Sequence, residues 1–399
     1  KSFNDKFIKI TLMNGLIINM IKLNKHIIYI YSFITIIISS INFSYAADNT
    51  KWLSINKKGM QAYKARNFID AEEHYLKAIE EAKKSNLGPE LSATLNNLGL
   101  LKIELLKFKE AEDFINESLK IRLQYYGLSH RYVAQSYNNL ARVYESSLKM
   151  MKSIDLYIKA IEIYENLGDR YNMLLARTLV NLSTVQLKIE ELDIAQLNLI
   201  RALTISNKYS EDNSVSLSAM QNLAALFTQR GNYIEAEEIY LNLIKIRQNN
   251  NKDNSISFAR ILNNLAVLYK KQCKYDSAYP YIYKAINIWK NLSVSDYSNF
   301  AAALHNQGEL YKAQGKYSLA IESFNNGIKI LNSSVDSFYK QYIEQSYSLI
   351  NLYLKVGMTE KASDQLNIVN SIRANKGDAN IELDNIPDEI YEECSSSNI

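Results

Sequence analysis

Apolar and polar positions follow a helical spacing along most of the chain. Between residues 137 and 144 the apolar or small side chains fall at i, i+3, i+4 and i+7, on one face of a helix: Tyr137, Leu140, Ala141 and Tyr144. After a short turn the spacing recurs in a second set: Tyr157, Ala160, Ile161 and Tyr164. One such hairpin cannot bury its apolar face alone, so the pattern predicts hairpins that stack on one another.

The hairpin pattern repeats every 40–42 residues. One small residue marks the series: Ala71, Ala111, Ser153, Ala195, Ala236, Ala278, Ala320 and Ala362. Small residues also recur seven positions later and twelve positions earlier, as expected where two helices approach closely. Turns are predicted inside the hairpins at Arg66-Asn67, Arg230-Gly231-Asn232, Gln314-Gly315-Lys316 and Val356-Gly357. We therefore predict eight helix–turn–helix repeats over residues 52–373.

The stretch from Leu262 to Ile286, LNNLAVLYKKQCKYDSAYPYIYKAI, resembles the tetratricopeptide repeat (TPR). Its NNLA start is similar to the longer variant in kinesin light chains. The usual TPR period is about 34 residues, and about eight more add close to two helical turns without changing the register. The resemblance covers residues 52–373, weakest in the two end repeats. It implies an all-α fold, a right-handed α-solenoid of about eight TPR units whose first helices line a concave groove.

One asparagine recurs on the first helices, opposite the predicted core. In the fourth repeat Leu179 and Leu182 point to the core, whereas Arg177 and Asn181 point about 180° away. This asparagine stands in six consecutive repeats: Asn97, Asn139, Asn181, Asn222, Asn264 and Asn306. In TPR proteins an asparagine there often contacts peptide backbone. Two interpretations stay open: a carboxamide ladder that binds an extended peptide, or a structural device between neighbouring first helices.

Basic residues accompany the asparagines on the same stripe. They are Arg142, Arg177, Lys188, Arg260, Lys270, Lys271 and Lys312, against Glu145 and Glu309. With the asparagines they form a predicted peptide-binding groove that is mildly basic and suited to acidic side chains or a C-terminal carboxylate. Ordinary solvated lysines and arginines are the alternative interpretation.

The first 46 residues lie outside the repeat pattern. An uncharged apolar run at residues 27–43 follows Lys22 and Lys25 and precedes the small-residue site Ser44-Tyr45-Ala46. This order predicts a signal peptide over residues 20–46 and export, with a bacterial periplasm as the expected location. An inner-membrane anchor formed by residues 27–43 is the alternative. Residues 1–19, which precede Met20, are interpreted as upstream translation.

Charge and motifs narrow the function. The leader carries a net charge of +4 and the remaining residues carry 41 basic and 41 acidic side chains, so the basic surplus typical of nucleic-acid binding is absent.

Residues 374–399 are acidic and predict a disordered tail; folding back into the basic groove is the alternative. Cys273 lies in a turn where other repeats carry glycine, and its pairing with Cys394 in the tail stays open.

The sequence contains no phosphate loop, nucleophile elbow or metal-spaced cluster. His74, His130 and His305 are interpreted as packing or surface residues. We therefore expect a non-enzymatic protein without cofactor or metal, a scaffold that binds a protein or peptide segment and, after signal cleavage, has no membrane span. A structural or assembly subunit of an envelope complex, and a regulatory protein responsive to a peptide, are the alternatives.

Overall fold

The computed structural model describes residues 49–209, 213–292, 296–332, 335 and 338–387. These residues form α-helices joined by short turns, together with two short 3₁₀ segments at Asp169–Tyr171 and Leu383–Asn385, and contain no strand. This all-α repeat solenoid confirms the predicted fold class. The signal or anchor expected at residues 20–46, the segment 1–19, and Cys394 lie outside the described residues. None of the described helices is both long enough and apolar enough to span a membrane.

The described helices form two compact units, which divide between Leu128 and Ser129. The first unit holds α1 (49–64), α2 (Phe68–Lys84), α3 (Gly88–Glu104) and α4 (Phe108–Tyr126). The second unit holds α5 (Arg131–Ser146), α6 (Met150–Leu167), α7 (Asn172–Lys188), α8 (Leu192–Ser206), α9 (Ser214–Arg230), α10 (Tyr233–Asn249), α11 (Ile256–Lys271), α12 (Tyr275–Asn291), α13 (Tyr297–Ala313), α14 (Tyr317–Asn332), α15 (Tyr339–Lys355) and α16 (Thr359–Asn375). Odd-numbered helices are the first helices of the repeats, and even-numbered helices are the second.

Each hairpin closes at the small residues that define the repeat. All eight marker residues, from Ala71 to Ala362, are 0% exposed. A large side chain four residues later packs against the first helix of the same hairpin. A Cβ atom placed on Gly308 would lie 2.5 Å from Cε1 of Phe324, and one on Gly99 would lie 2.5 Å from Cγ1 of Ile115. The predicted close approach of the two helices is therefore confirmed.

The hairpins of each unit share continuous hydrophobic cores. In the first unit Tyr75 packs with Leu95, Leu98 and Leu101 of the following helix. In the second unit three clusters succeed one another, and α9 contributes Leu226 to one cluster and Ala224 to the next. Each hairpin is therefore buried by its neighbours, as the stacking argument requires.

Every hairpin turns through one residue in the left-handed conformation. It stands five residues before each marker residue: Arg66, Leu106, Leu148, Glu190, Gly231, Cys273, Gly315 and Gly357. The backbone N–H of Leu148 donates to the Glu145 carbonyl at 3.0 Å, and that of Lys149 donates to the Tyr144 carbonyl at 2.8 Å. This bonding pattern is the Schellman motif, which normally places glycine at the left-handed residue. The predicted turns at Arg66, Gly231, Gly315 and Gly357 are confirmed, and four further repeats make the same turn without glycine, at Leu106, Leu148, Glu190 and Cys273.

The segment after the last repeat packs against it as far as residue 387. Asn370 on α16 accepts a hydrogen bond from the Ile381 backbone N–H at 2.9 Å and donates to the Ile381 carbonyl at 2.8 Å. The side chain of Ile386 is buried in the same core as α14 to α16. Apolar side chains within this described part of the acidic tail therefore pack against the last repeat, and the expected disorder of residues 374–399 stays a prediction.

The repeated turn gives a matched pair of stability predictions. We expect Leu148→Gly to raise the free energy of unfolding by up to about 1 kcal/mol, because a non-glycine residue in the left-handed region costs about 1–2 kcal/mol and glycine recovers part of it. Gly315→Leu should lower that free energy by a similar amount, since nothing lies within 4 Å of a Cβ there and only the backbone is tested. Urea unfolding of both variants measures the two changes in the free energy of unfolding. Two changes of the same sign would contradict the role assigned to the left-handed residue.

Candidate functional site

The recurrent asparagines form a row on the first helices. We call the row in the second unit the first-helix face; it comprises Asn139, Asn181, Asn222, Asn264 and Asn306 on α5, α7, α9, α11 and α13. All but Asn139 are half-buried, and Asn139 is buried. Asn97 stands at the equivalent position of α3 in the first unit and is also half-buried. In the fourth repeat the predicted orientation is confirmed, because Leu179 and Leu182 are buried and Arg177 is exposed.

Asparagines of neighbouring first helices are joined by hydrogen bonds. Asn181 donates through Nδ2 to Oδ1 of Asn138 at 3.2 Å, and Asn306 donates in the same way to Asn263 at 3.1 Å. The two pairs have the same sequence separation of 43 residues. We call each such bond between adjacent first helices a rung.

The rungs continue within each helix and vary once. Asn138 donates onward to Asn139 at 3.4 Å, and Asn263 donates to Asn264 at 3.3 Å. Between α7 and α9 the acceptor is the hydroxyl of Thr184, which receives a bond from Asn222 at 2.8 Å. These bonds match the structural interpretation of the asparagines. A primary amide has two N–H groups and two acceptor lone pairs, so each amide retains capacity for a peptide, and the peptide ladder stays a prediction.

Two of the predicted groove cations are neutralised within the face. Lys188 forms an ion pair with Glu145 at 2.7 Å, and Lys312 lies 3.8 Å from Glu309. Glu145 also accepts a hydrogen bond from the hydroxyl of Tyr157 at 3.3 Å. Burial and the neighbouring carboxylate raise the pKa of Tyr157 well above its usual value, so this hydroxyl remains a donor at neutral pH.

Three other groove cations are presented to solvent. Arg177, Arg260 and Lys271 are exposed and form no ion pair among the described residues. Arg142 and Lys270 are half-buried. Burial, and to a lesser degree the positive charge of Arg260, lower the pKa of Arg247 on α10, the direction expected from repulsion between the two guanidinium groups. An anionic group of a partner would relieve this repulsion.

A cavity of about 230 Å³ lies between α13 and α15 at the end of the face. Its walls are formed by Ala302, His305, Asn306, Gln341, Glu344, Gln345 and Ser348. Burial, with smaller contributions from Lys270 and Lys312, lowers the pKa of His305 to about 3, so its imidazole is neutral at pH 7. The ring packs 5.1 Å from that of Phe324.

From the sequence His305 is predicted to be a packing or surface residue, and the cavity beside it is not predicted. The available signal is its register, because His305 stands 42 residues after Asn263, where a rung acceptor is expected. Within the described part of the chain, no group of three or more His, Cys, Asp or Glu side chains is placed to hold a metal ion.

Comparison with known proteins gives one family and several solved structures. Two tetratricopeptide repeat family models match the sequence: one matches residues 52–124, 90–150, 132–208 and 257–333, and the other matches residues 216–256. Together they cover more than half of the 399 residues. No curated protein matches the sequence.

Solved structures share the fold at low sequence identity. The apo form of RapI is 17% identical, with a TM-score of 0.58 over 71% of this chain and 98% of RapI. A Rap protein complexed with competence and sporulation factor is 15% identical, with a TM-score of 0.54 over 84% of this chain and 98% of that one. BtubC (BKLC) from P. vanneervenii is 19% identical, with a TM-score of 0.50 over 61% and 96%. At these identities the likeness concerns the fold alone.

A double-mutant cycle tests whether the rungs stabilise the array. We expect Asn138→Ala and Asn181→Ala each to lower the free energy of unfolding, and the double variant to lose less than the sum of the two. The coupling should be about 0.5–1.5 kcal/mol, the net value of one hydrogen bond. Chemical unfolding measures it, and the non-bonded pair Asn138→Ala with Asn306→Ala serves as the control. Additive losses in the first pair would show that the rung contributes nothing.

The neutral state of His305 gives a pH prediction. Because its pKa is lowered from 6.5 to about 3, the unfolded chain takes up a proton below pH 6.5 that the folded chain does not. Stability should therefore fall between pH 6.5 and pH 3, with a slope from this group of up to about 1.4 kcal/mol per pH unit. His305→Asn should remove this component, and unfolding measured from pH 7 to pH 4 checks it. An unchanged slope in the variant would contradict the burial of a neutral imidazole.

Proposed function

Because the chain belongs to the tetratricopeptide repeat family, we propose that it is a non-enzymatic scaffold that binds a peptide or protein segment on its first-helix face. The observation that carries the proposal is the row of carboxamides from Asn139 to Asn306, flanked by the exposed cations Arg177, Arg260 and Lys271. Amides can donate to and accept from the backbone of an extended segment. Arginines can bind a carboxylate through two hydrogen bonds at once.

The distribution of charge favours an acidic segment. Glu145 and Glu309 are already engaged with Lys188 and Lys312, so they do not neutralise Arg177 or Arg260. A partner carboxylate near Arg260 would also reduce its repulsion with Arg247. A solved structure of this fold, a Rap protein, is complexed with competence and sporulation factor. That likeness supports a binding role for the present repeats, and our choice of ligand rests on the charges of the face itself.

We also propose that the protein is exported. The support is the order of lysines, apolar run and small residues at residues 20–46, typical of a signal peptide. A bacterial periplasm is the location we favour, and retention by residues 27–43 is the alternative. The N-terminal residue of the protein isolated from its own cells distinguishes the two, since cleavage gives a chain that begins near Ala47.

A second candidate function, assembly with other subunits, has one observation in its favour. Four consecutive second helices expose an apolar side chain five residues after the marker residue: Ile158, Ile200, Leu241 and Tyr283. Their exposed fractions lie between 42% and 53%. Apolar residues repeated on an outward stripe are typical of protein–protein contacts.

The binding proposal is tested with a library of random peptides displayed on phage and selected on the full chain. We expect the selected peptides to be rich in Asp and Glu and to lose at least tenfold in affinity for the variant Arg177→Glu, Arg260→Glu. Charge reversal replaces attraction by repulsion at both sites, and hydrogen bonds to charged groups contribute about 1.5–3 kcal/mol each. Isothermal titration calorimetry measures the affinities.

The matched control reverses two exposed lysines on second helices, Lys245→Glu and Lys290→Glu, which changes the net charge equally. Peptides that bind the control as tightly as the wild type, and the first variant weakly, support the proposal. Equal affinity of the peptides for all three proteins would show that the basic residues of the first-helix face do not contribute to binding. If the selected peptides lost affinity for the variant Ile200→Asp and for no other variant, the outward stripe of the second helices would be the binding surface. That result would favour the assembly function.

A further inference from the structure

We propose that the outward face of α8 binds the same face of a second copy of this chain, with the two helices antiparallel and crossing at Leu197. We call this surface the α8 face; it consists of Ile194, Leu197 and Ile200 with one charged residue at each end, Asp193 and Arg201. The inference concerns a second helix and is independent of the proposed function, which uses the first-helix face. It rests on exposed apolar side chains, on a difference between the fourth repeat and the others, and on a symmetric order of charges.

Three apolar side chains of α8 are exposed to solvent. The exposed fractions are 50% for Ile194, 68% for Leu197 and 46% for Ile200. The helix buries its opposite side, a row of small or apolar residues: Ala195, Leu199, Ala202 and Ser206. At about 100° per residue Leu197 points about 180° away from the centre of that row, so it cannot reach the core of its own repeat. The α8 face is therefore accessible to another molecule.

The fourth repeat differs from the others at two positions of this face. Two residues after the marker residue, where α8 has Leu197, six other repeats carry an acidic residue: Glu73, Asp113, Asp155, Glu238, Glu322 and Asp364. One residue before the marker residue, where α8 has Ile194, five other repeats carry a charge: Asp70, Glu110, Lys152, Glu235 and Lys361. Charged side chains are the usual ones at exposed positions. Apolar side chains that replace them together on one helix face indicate a protein–protein contact.

The residues of the α8 face are arranged symmetrically about Leu197. Ile194 and Ile200 stand three residues before and after it, and Asp193 and Arg201 stand four residues before and after it. When two such helices cross antiparallel at Leu197, Ile194 of each copy lies level with Ile200 of the other. In the same way Asp193 of each copy lies level with Arg201 of the other. A twofold interface requires this self-complementarity, whereas a partner of unrelated sequence does not, so the order favours a second copy.

The charged ends of the face remain able to bind a second copy. Asp193 pairs with Arg230 of its own chain, but its side chain is 95% exposed. Arg201 pairs with Glu165 on α6 at 2.6 Å, and both side chains are accessible to solvent. In the antiparallel dimer the first pair of one copy faces the second pair of the other, so positive and negative charges alternate across each end of the crossing. The dimer therefore adds ion pairs without breaking those already present.

Sedimentation velocity of the full chain, from about 1 to about 200 μM, tests the inference. One helix face from each copy forms a small interface, about 1,200 Å² or less, so association should be weak, in the micromolar range. We expect the wild type to pass from monomer to dimer as its concentration rises. Leu197→Glu introduces a residue type that other repeats carry at this position, so the fold should be preserved. It also places two carboxylates against each other at the twofold axis, and the variant should stay monomeric.

The matched control is Ile69→Glu on α2. It also replaces an exposed apolar residue by glutamate, since Ile69 is 83% exposed, and it lies outside the α8 face. This variant should dimerise as the wild type does. Circular dichroism and the melting temperature of both variants check that the repeats remain folded.

Exchange of the two charges tests the antiparallel register. Arg201→Asp sets a carboxylate level with Asp193 of the other copy, and Asp193→Arg sets two guanidinium groups level, so each variant alone should dimerise about tenfold more weakly. An equal mixture of the two variants should associate about as tightly as the wild type, because each supplies the charge that the other lacks. The ion pairs lost within each chain are the same alone and in the mixture, so recovery has to come from the contact between copies.

The outcomes decide the inference without reference to peptide binding. A wild type that stays monomeric at the highest concentration, a dimer that persists in Leu197→Glu, or a dimer lost equally in Ile69→Glu overturns it. A mixture of the charge variants that associates no more tightly than either alone overturns the antiparallel register. A dimer that is lost in Leu197→Glu, kept in Ile69→Glu and recovered in the mixture supports the inference, even if the peptide library shows that the proposed function is wrong.

Discussion

The close approach of two helices at a small residue is the contact on which the rest of the protein depends. Each marker residue, such as Ala320, is fully buried, and the large side chain four residues later, such as Phe324, lies against a small residue of the first helix, here Gly308. A contact this tight fixes the rotation of the first helix about its axis. Since one side of the first helix packs against the second helix of its hairpin, the opposite side of the first helix faces outward at the same angle in every repeat. The asparagine row follows from this geometry.

The rungs then join what the core has aligned. Because the helices repeat with nearly constant spacing, Asn181 reaches Asn138 and Asn306 reaches Asn263 at almost the same distance, 3.2 and 3.1 Å. Partly buried amides that bond to one another stay satisfied without a ligand. The same row can therefore stabilise the stack and present amide groups to a partner, and the two interpretations that the sequence left open are compatible.

The fold could be predicted from the sequence because the small marker residues recur at a nearly constant period. Such a period can be recognised in a single sequence. It predicted the turns at Gly231, Gly315 and Gly357, and the one at Arg66, but not those at Leu148 or Glu190. There the packing of the hairpin imposes a left-handed residue whatever its type, so no local signal exists. The asparagine row was visible in the sequence, whereas its rungs join residues 43 positions apart and needed coordinates. A lone histidine resembles a packing residue, and only the orphaned atom of His305 distinguishes it.

An interrupted ladder is a better place for recognition than a complete one. A ligand that binds where rungs exist has to compete with bonds already made, and exchange of one hydrogen bond for another yields little net free energy. At the eighth repeat Ser348 stands where other repeats carry the asparagine, and its hydroxyl donates to the backbone carbonyl of Glu344, so a ligand has no amide–amide bond to break there. Arg177 and Arg260 offer the same advantage for charge, because no carboxylate of the described chain pairs with them. The side chains that determine binding specificity in this array should therefore lie at positions where a repeat differs from the others. The side chains that are the same in every repeat stabilise the fold around them.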